Sequence, residues 1–353
     1  WQSYMAALVY YWSTPPPSVA ADSLKIMDSD VRSCFLKCFS IDLSEAAWCQ
    51  SQLSLRFGDN HHLMNAVSLV CSSDAISPES AIESPPSQRS LSHKLDSLSF
   101  SNLYDLSSPA NKARLLSASA SLATSWVSVL PSGEPGTHFY PSEFCSAISW
   151  WLGLETTRAS SCCLLCPEIA LDLLGHHALS CGRGGDVVLR HNQLRDIFVD
   201  FCHKANLSVK VEAGSTLTPD LSRSRPADAL VSNWSDGIPT AFDITVTSPL
   251  TPVSLLEASV TPGTAALLAE RRKHQANDPK CHMLGWKCTP LVVESYGSWG
   301  SEARQICSHL ASCLSFSLGI QKPKILVQMY GKLNIALVRC NARALLSRAC
   351  NLV

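Results

Sequence analysis

Residues 226–247 read PADALVSNWSDGIPTAFDITVT, and this stretch decides the fold. Residues 227–231 (ADALV) and 240–247 (TAFDITVT) have the apolar, β-branched character of strands, joined by the turn-rich NWSDGIP. Side chains alternate along a strand, so Ala241, Asp243 and Thr245 share one face while Phe242, Ile244 and Val246 share the other. Two acids therefore stand where acids are awkward: Asp228 opens the first strand and Asp243 sits inside the second. Aspartate is disfavoured in strands and costly to bury without a partner. On adjacent strands the two carboxylates would converge on one divalent cation, with Mg2+ the expected ion. A cation held this way activates water and stabilises charge on a phosphate undergoing hydrolysis. Two like charges so close repel, so without metal one acid is expected to resist ionisation. A lysine beside that water would act as general base or charge stabiliser, and Lys273 in AERRKHQAN is the candidate. Glu257 and Glu294 are candidate extra ligands. The competing structural account has Asp228 capping a turn and Asp243 paired with an arginine such as Arg225.

Working outward, residues 187–206 place Leu194, Ile197, Phe198, Phe201 and Ala205 at helical spacing. Residues 208–212 (SVKVE) alternate as a short strand. Downstream, Thr261 as N-cap and Pro262 in the first turn predict a helix through AALLAERRKHQAN. Residues 290–295 (PLVVES) read as a buried strand, and helices are expected around 299–318 and 325–349. The order helix, three strands, helix, strand suits a small mixed sheet flanked by helices, an α/β fold of mixed α+β kind.

The first half is less organised. Residues 13–24 and 72–110, rich in Ser, Pro and Ala, read as loops or linkers. Helical patterns are expected within 30–56, 108–130 and 141–152. Nothing in residues 1–150 carries chemistry.

Between the halves lies a metal-ligand pattern. Cys163 and Cys166 form a C-x2-C pair, and His176 or His177 with Cys181 returns about ten residues later. Such a turn offers two thiolates to a tetrahedral Zn2+ and a short His/Cys pair closes the site. His177 is preferred because His-x3-Cys keeps both ligands within one helical turn, and Cys162 is the spare. Three thiolates and no open position predict a structural zinc. Cys281 and Cys288 lack a second His/Cys pair and are expected to be buried in the core.

The chain has 353 residues and a net charge of −1, which argues against a polycationic nucleic-acid coat. The charge is uneven. Residues 1–150 hold 8 Lys/Arg and 13 Asp/Glu (8 − 13 = −5), and the remainder holds 20 and 16 (20 − 16 = +4). From Ala303 onward there are seven Lys/Arg and no acid, the place to look for phosphate contacts. Sixteen cysteines with one cluster, no visible signal peptide and no apolar run of ~20 residues suit an intracellular chain, nuclear or cytoplasmic and not secreted. The chain opens on Trp1 rather than methionine, so it is expected to be a piece of a longer polypeptide.

The run CCLLCPEIALDLLGHHALSC, RHNQLRDIF, RPADALV, AFDITVTSPL and PLVVESYGSWG resembles, over about residues 160–300, the C-terminal region of non-LTR retrotransposon polyproteins with a restriction-like endonuclease. In that family a Cys-Cys-His-Cys knuckle precedes a nuclease of the PD-(D/E)xK type. The resemblance implies a helical remnant of the polymerase-connecting region over 1–157, a zinc knuckle over 158–185, a restriction-endonuclease-like α-β-β-β-α-β core over 186–300 and basic C-terminal helices over 301–353. It implies that Asp228 is the acid of the PD motif and Asp243 the second acid. It also implies a target DNA, nicked to prime reverse transcription, and element RNA bound through the rest of the polyprotein. Two departures stand out: Ala227 interrupts Pro-Asp, and the D-x-K position holds Thr245. The family often moves that lysine to the following helix, which points again to Lys273. No F/Y-A-D-D motif is present, so this chain is not expected to polymerise DNA. The alternatives are a decayed nucleic-acid-binding module and a retrotransposon relic.

Overall fold

A computed structural model describes residues 26, 29–37, 43–53, 88–128, 138–156, 162–212, 227–235 and 237–348. The chain divides into two units, Trp1–Leu106 and Ser107–Val353. The predicted loop at 13–24, much of that at 72–110, and Arg225 lie outside the described residues.

In the first unit, residues 29–37 are helical. Helix α1 (Glu45–Ser51) follows, with the Ser44 hydroxyl accepting the Ala47 N–H as its cap. Helix α2 (Gln88–Asp105) corrects the expected linker. Its serine-rich sequence carries little apolar periodicity, so the pattern rule had nothing to detect. Leu98 is 61% exposed, while Phe100 stacks on Tyr104 one turn along.

The second unit opens with α3 (Pro109–Ala118), capped by Ser108, then α4 (Ser125–Ser128) and α5 (Pro141–Trp151). The helical pattern expected within 108–130 is divided between α3 and α4, with Leu122 between them at a φ of 65°. Strands β1 (Cys162–Cys163) and β2 (Cys166–Ala170) pair as a small hairpin, followed by α6 (His176–Ser180). Next come α7 (Asp186–Lys204), β3 (Val209–Val211), β4 (Ala229–Ser235), β5 (Ile238–Thr247), the short α8 (Leu255–Ala258), α9 (Thr264–Met283), β6 (Lys287–Glu294), α10 (Ser301–Leu318) and α11 (Lys322–Arg348). Helix α9 starts later than the sequence suggests. Gly263, at a φ of 79°, is the N-cap, because Thr261 still donates its N–H to the Glu257 carbonyl of the preceding turn.

The larger sheet has the order β3-β4-β5-β6, antiparallel except for the parallel β5–β6 pair. The parallel pair needs a crossover, and α8 with α9 supplies it. One face carries the main core. Leu194, Phe198 and Cys202 of α7 pack with Ala229, Val231, Phe242 and Ile244 of the sheet and with Leu310, Met329 and Leu337 of α10 and α11. Phe242 is fully buried, with Phe198 and Trp234 edge-on to its ring at centroid distances of 5.1 and 4.9 Å. Burying such a side chain is worth about 1.5–3 kcal/mol. The other face is covered by α9, where Ala227, Leu230 and Ala241 pack with Cys281 and Cys288. Both cysteines are buried, as expected from the sequence. The fold is thus mixed helix and sheet, with helices on both faces of the four-stranded sheet. Among the described residues, no helix is long and apolar enough to cross a membrane.

Candidate active site and metal centre

Ala229 pairs with Phe242 and Leu230 with Ala241 across β4 and β5. The Asp228 N–H also donates to the Phe242 carbonyl at 2.9 Å, so Asp228 and Ala229 share Phe242 as their partner, a bulge-like step at the start of β4. In place of a regular ladder bond, the Asp228 carboxylate engages β5: its Oδ2 accepts the Ile244 N–H at 2.7 Å. The capping role is therefore real, and it holds the side chain at the end of the ladder.

Both acids line a cavity of about 370 Å3, together with Lys273, Asn277, His191 and Arg190. Lys273 Nζ donates to Asp243 Oδ1 at 2.9 Å, and Asn277 Nδ2 to Asp243 Oδ2 at 2.6 Å. His191 Nε2 lies 3.2 Å from Asp228 Oδ1. The structure thus brings together the three residues selected from sequence. The charge partner of Asp243 is Lys273 rather than the arginine of the competing account.

The two acids ionise differently. Burial pushes the Asp243 carboxyl above its ordinary value; Lys273 pulls it down and the Asp228 charge adds to the rise. Burial acts the same way on Asp228, but there the His191 hydrogen bond and charge, the Ile244 N–H and Lys273 outweigh it and lower the value. His191 is raised by its hydrogen bond to Asp228, against the opposing effect of burial. One acid does resist ionisation, with burial as the leading cause and like-charge repulsion secondary. Arg190 is turned toward the scaffold, donating to Asn341 Oδ1 at 2.6 Å and to the Leu179 carbonyl at 3.0 Å.

Two candidate ligands fall away. Glu257 is exposed on α8 and does not line the cavity. Glu294 is 1% exposed at the far end of β6, where its Oε1 accepts the Ala266 N–H at the start of α9. It serves the helix terminus instead.

His191 and Asn277 were not selected from sequence, though a signal existed for each. Asn277 follows Lys273 by four residues and so shares its helix face. His191 precedes Leu194 by three, a polar side chain on the apolar stripe of α7.

In the second site, the ligand atoms of Cys163, Cys166, His177 and Cys181 all lie within 4.8 Å of one another, a group that can hold a metal ion. The β1–β2 hairpin pairs Cys163 with Cys166, and α6 returns His177 and Cys181. Cys166 Sγ is 3.1 Å from His177 Nε2 and 3.6 Å from Cys181 Sγ. The Asp172 carboxylate orients α6 by accepting the His176 and His177 N–H groups at 2.7 Å each. His176 turns away, with Nδ1 3.1 Å from Ser248 Oγ, so His177 is the member of the group. Cys162 is exposed and outside it. Gly175, at a φ of 71°, precedes α6 where a Cβ would collide with Leu345 of α11. Burial and hydrogen bonding to Cys163 and Cys181 push the Cys166 thiol up to about 12. Burial also acts to raise Cys181, yet the Arg348 guanidinium and a backbone hydrogen bond from Arg183 outweigh it and hold it low.

The acid-free tail is more structural than its charge suggests. Arg348 has no exposed side-chain surface and donates to Asp186 Oδ2 at 2.6 Å and to the Arg183 carbonyl at 2.7 Å. Arg343 pairs with Glu143, and Arg339 reaches the His138 carbonyl and Gln193. These three arginines hold α11 against the unit, which corrects the expectation of a phosphate-facing tail at their positions. Comparison with known proteins assigns no family: no protein-family model matches the chain, and no curated protein matches it.

Proposed function

We propose that the pocket around Asp228 and Asp243 is the centre of a metal-dependent DNA endonuclease of the restriction-like kind, the DNA-nicking portion of a retrotransposon protein. The observation that carries this reading is the meeting of the two acids in one pocket, with Lys273 reaching Asp243 from the helix after β5. That element order, α7-β3-β4-β5-α9-β6 apart from the short α8, is the one the resemblance implies for a restriction-like core.

The donor set fits a hard cation such as Mg2+. It offers carboxylate oxygens on one sheet face, beside a cavity able to admit a phosphate. Bound between Asp228 and Asp243, such an ion would lower the pKa of a water and neutralise charge on the phosphodiester. The chain's own groups do the rest. Asn277 and His191 orient the two carboxylates by hydrogen bonding. Lys273, 35% exposed in its side chain, is placed to turn its ammonium toward the phosphate once Asp243 is otherwise engaged.

For the Cys163, Cys166, His177 and Cys181 group we propose a structural Zn2+. Tetrahedral zinc sets two thiolates about 3.8 Å apart and a thiolate and imidazole about 3.6 Å apart, from bond lengths of about 2.3 and 2.0–2.1 Å. The spacings of 3.6 and 3.1 Å are close to those values.

A second reading, a nucleic-acid-binding module without catalysis, is favoured by one observation. Each of the four carboxylate oxygens already meets a protein donor: His191, the Ile244 N–H, Lys273 or Asn277. Nicking of supercoiled plasmid with and without Mg2+, by the full chain and its Asp243→Asn variant, separates the two. Mg2+-dependent nicking lost in the variant supports the endonuclease, whereas binding without nicking supports the second reading.

A further inference from the structure

Beyond the pocket and the knuckle, a third group of chemistry-bearing side chains gathers where α9 meets β6. Donor atoms of His274, Asp278 and Cys288 lie within 4.8 Å of one another. His274 and Asp278 are four residues apart on α9, and Cys281 follows Asp278 by three, so all three project from one helix face. Cys288 comes from β6 and packs with Cys281 in one buried cluster. The sequence order is H-x3-D-x2-C-x6-C.

The imidazole of His274 is held in an arrangement familiar from metal sites. Its Nε2 meets Glu302 Oε1 at 2.7 Å, and its Nδ1 faces both Asp278 oxygens at 2.9 and 3.1 Å. A carboxylate that accepts the outer N–H of a histidine fixes the tautomer and leaves the other nitrogen's lone pair free for a metal. With Glu302 taking the Nε2 proton, a neutral imidazole would aim its Nδ1 lone pair at a carboxylate. That contact is repulsive unless a second proton or a cation lies between them. The buried thiols of Cys288 and Cys281 stand beside it, a soft donor pair that a lone imidazolium would not need.

We propose that His274, Asp278, Cys281 and Cys288 form a second Zn2+ site that ties the C-terminal half of α9 to β6. Tetrahedral zinc needs neighbouring donors about 3.3–3.8 Å apart. His274, Asp278 and Cys288 therefore close by up to roughly 1–1.5 Å through rotation of His274 and Asp278, whose side chains are 31% and 54% exposed. Cys281, outside that group of three, completes the site by turning its thiol from beside Cys288. Such a tie has a local purpose. Pro279 lies inside α9, has no N–H to give the preceding turn, and weakens the helix between Asp278 and Cys281. A metal gripping residues on both sides of Pro279 holds that segment in line. The same helix carries Lys273 and Asn277 into the pocket, so the tie would steady their reach toward Asp243. The proposal does not depend on the pocket being catalytic.

Zinc content of the purified full chain tests it. Two zinc ions per chain are expected, falling to one in Asp278→Asn and in Cys288→Ser, to one in Cys163→Ser, and to none in Cys163→Ser combined with Cys288→Ser. Because Cys288 is buried and its variant can fail to fold, Asp278→Asn and His274→Ala, altering part-exposed side chains, carry the decision. Cobalt substitution of the Cys163→Ser chain adds a spectroscopic readout. Thiolate-to-cobalt charge transfer should remain there and vanish on adding Cys288→Ser. A chain whose zinc content is unchanged by both Asp278→Asn and His274→Ala, or a Cys163→Ser chain with no cobalt–thiolate band, overturns the proposal and leaves His274 as an imidazolium between two carboxylates.

Discussion

Asp228, at the start of β4, and Asp243 of β5 line one pocket, each carboxylate carrying a different partner: His191 on the first, Lys273 on the second. This asymmetry predicts different consequences for the three side chains. Asp228→Asn and Asp243→Asn should each lower Mg2+-dependent nicking by on the order of 10²–10³-fold or more, since each removes charge from the cation's ligands. Lys273→Ala should lower the nicking rate by about 10²–10⁴-fold, the range for a positioned proton-transfer group, while changing DNA affinity little. Rates under saturating DNA, set beside binding isotherms, check this. An equal loss in binding and in rate for Lys273→Ala would show that the lysine contributes only affinity.

The Arg348–Asp186 pair links the last turn of α11 to the segment after the knuckle, with a fully buried guanidinium. Removing one partner of a buried pair costs about 3–5 kcal/mol, because the other is left uncompensated. Arg348→Ala should lose roughly that much stability in urea unfolding. It should also release zinc from the knuckle at lower chelator concentration, since Arg348 hydrogen-bonds Cys181. A variant that loses stability but holds zinc unchanged would separate the clamp from the metal.

Glu294 predicts a pH dependence. Burial raises its carboxyl above the ordinary value of 4.5, outweighing hydrogen bonds from Ser117 and from the Ala266 and Ala265 N–H groups. The folded state therefore binds the proton more tightly than the unfolded state. The associated stability is fully present below pH 4.5 and is lost as pH rises through the raised value. Glu294→Gln carries no such charge, and its amide oxygen can still accept the Ala266 N–H. Thermal unfolding between about pH 4 and 8 should show the wild-type chain losing stability relative to the variant over that window. Parallel curves would mean that Glu294 titrates equally in both states.

The tail retains a testable role for its lysines. Arg339, Arg343 and Arg348 are engaged by protein acceptors, so the test of phosphate contact in the tail turns on its lysines. Neutralising Lys322, Lys324 and Lys332 together should reduce the slope of log affinity against log salt by up to about 2.7, at about 0.9 per phosphate contact. An unchanged slope assigns all three to a solvated helix face.

Some of this was decided by sequence alone. The alternation of residues 240–247 determined a strand and placed Asp243 on the face opposite Phe242 and Ile244, because side chains alternate whatever the strand packs against. The spacing of Cys163, Cys166, His177 and Cys181 likewise determined a group that can hold a metal ion, since a two-residue turn and a single helical turn are local geometries. Tertiary structure decided the rest. No local pattern brings Asp228 into the pocket of Asp243; the bond from its N–H to the Phe242 carbonyl, beside the Ala229–Phe242 pair, holds it there. His191 joins Asp228 from 37 positions upstream (228 − 191), and Cys288 joins His274 from the next strand, contacts that no local periodicity encodes. The fate of Glu294 turned on the same kind of fact. Its acidity was legible, but its destination depended on the start of α9 reaching the far end of β6 and presenting unpaired amides there. Periodicity reports which face a residue occupies, and only packing reports what stands opposite that face.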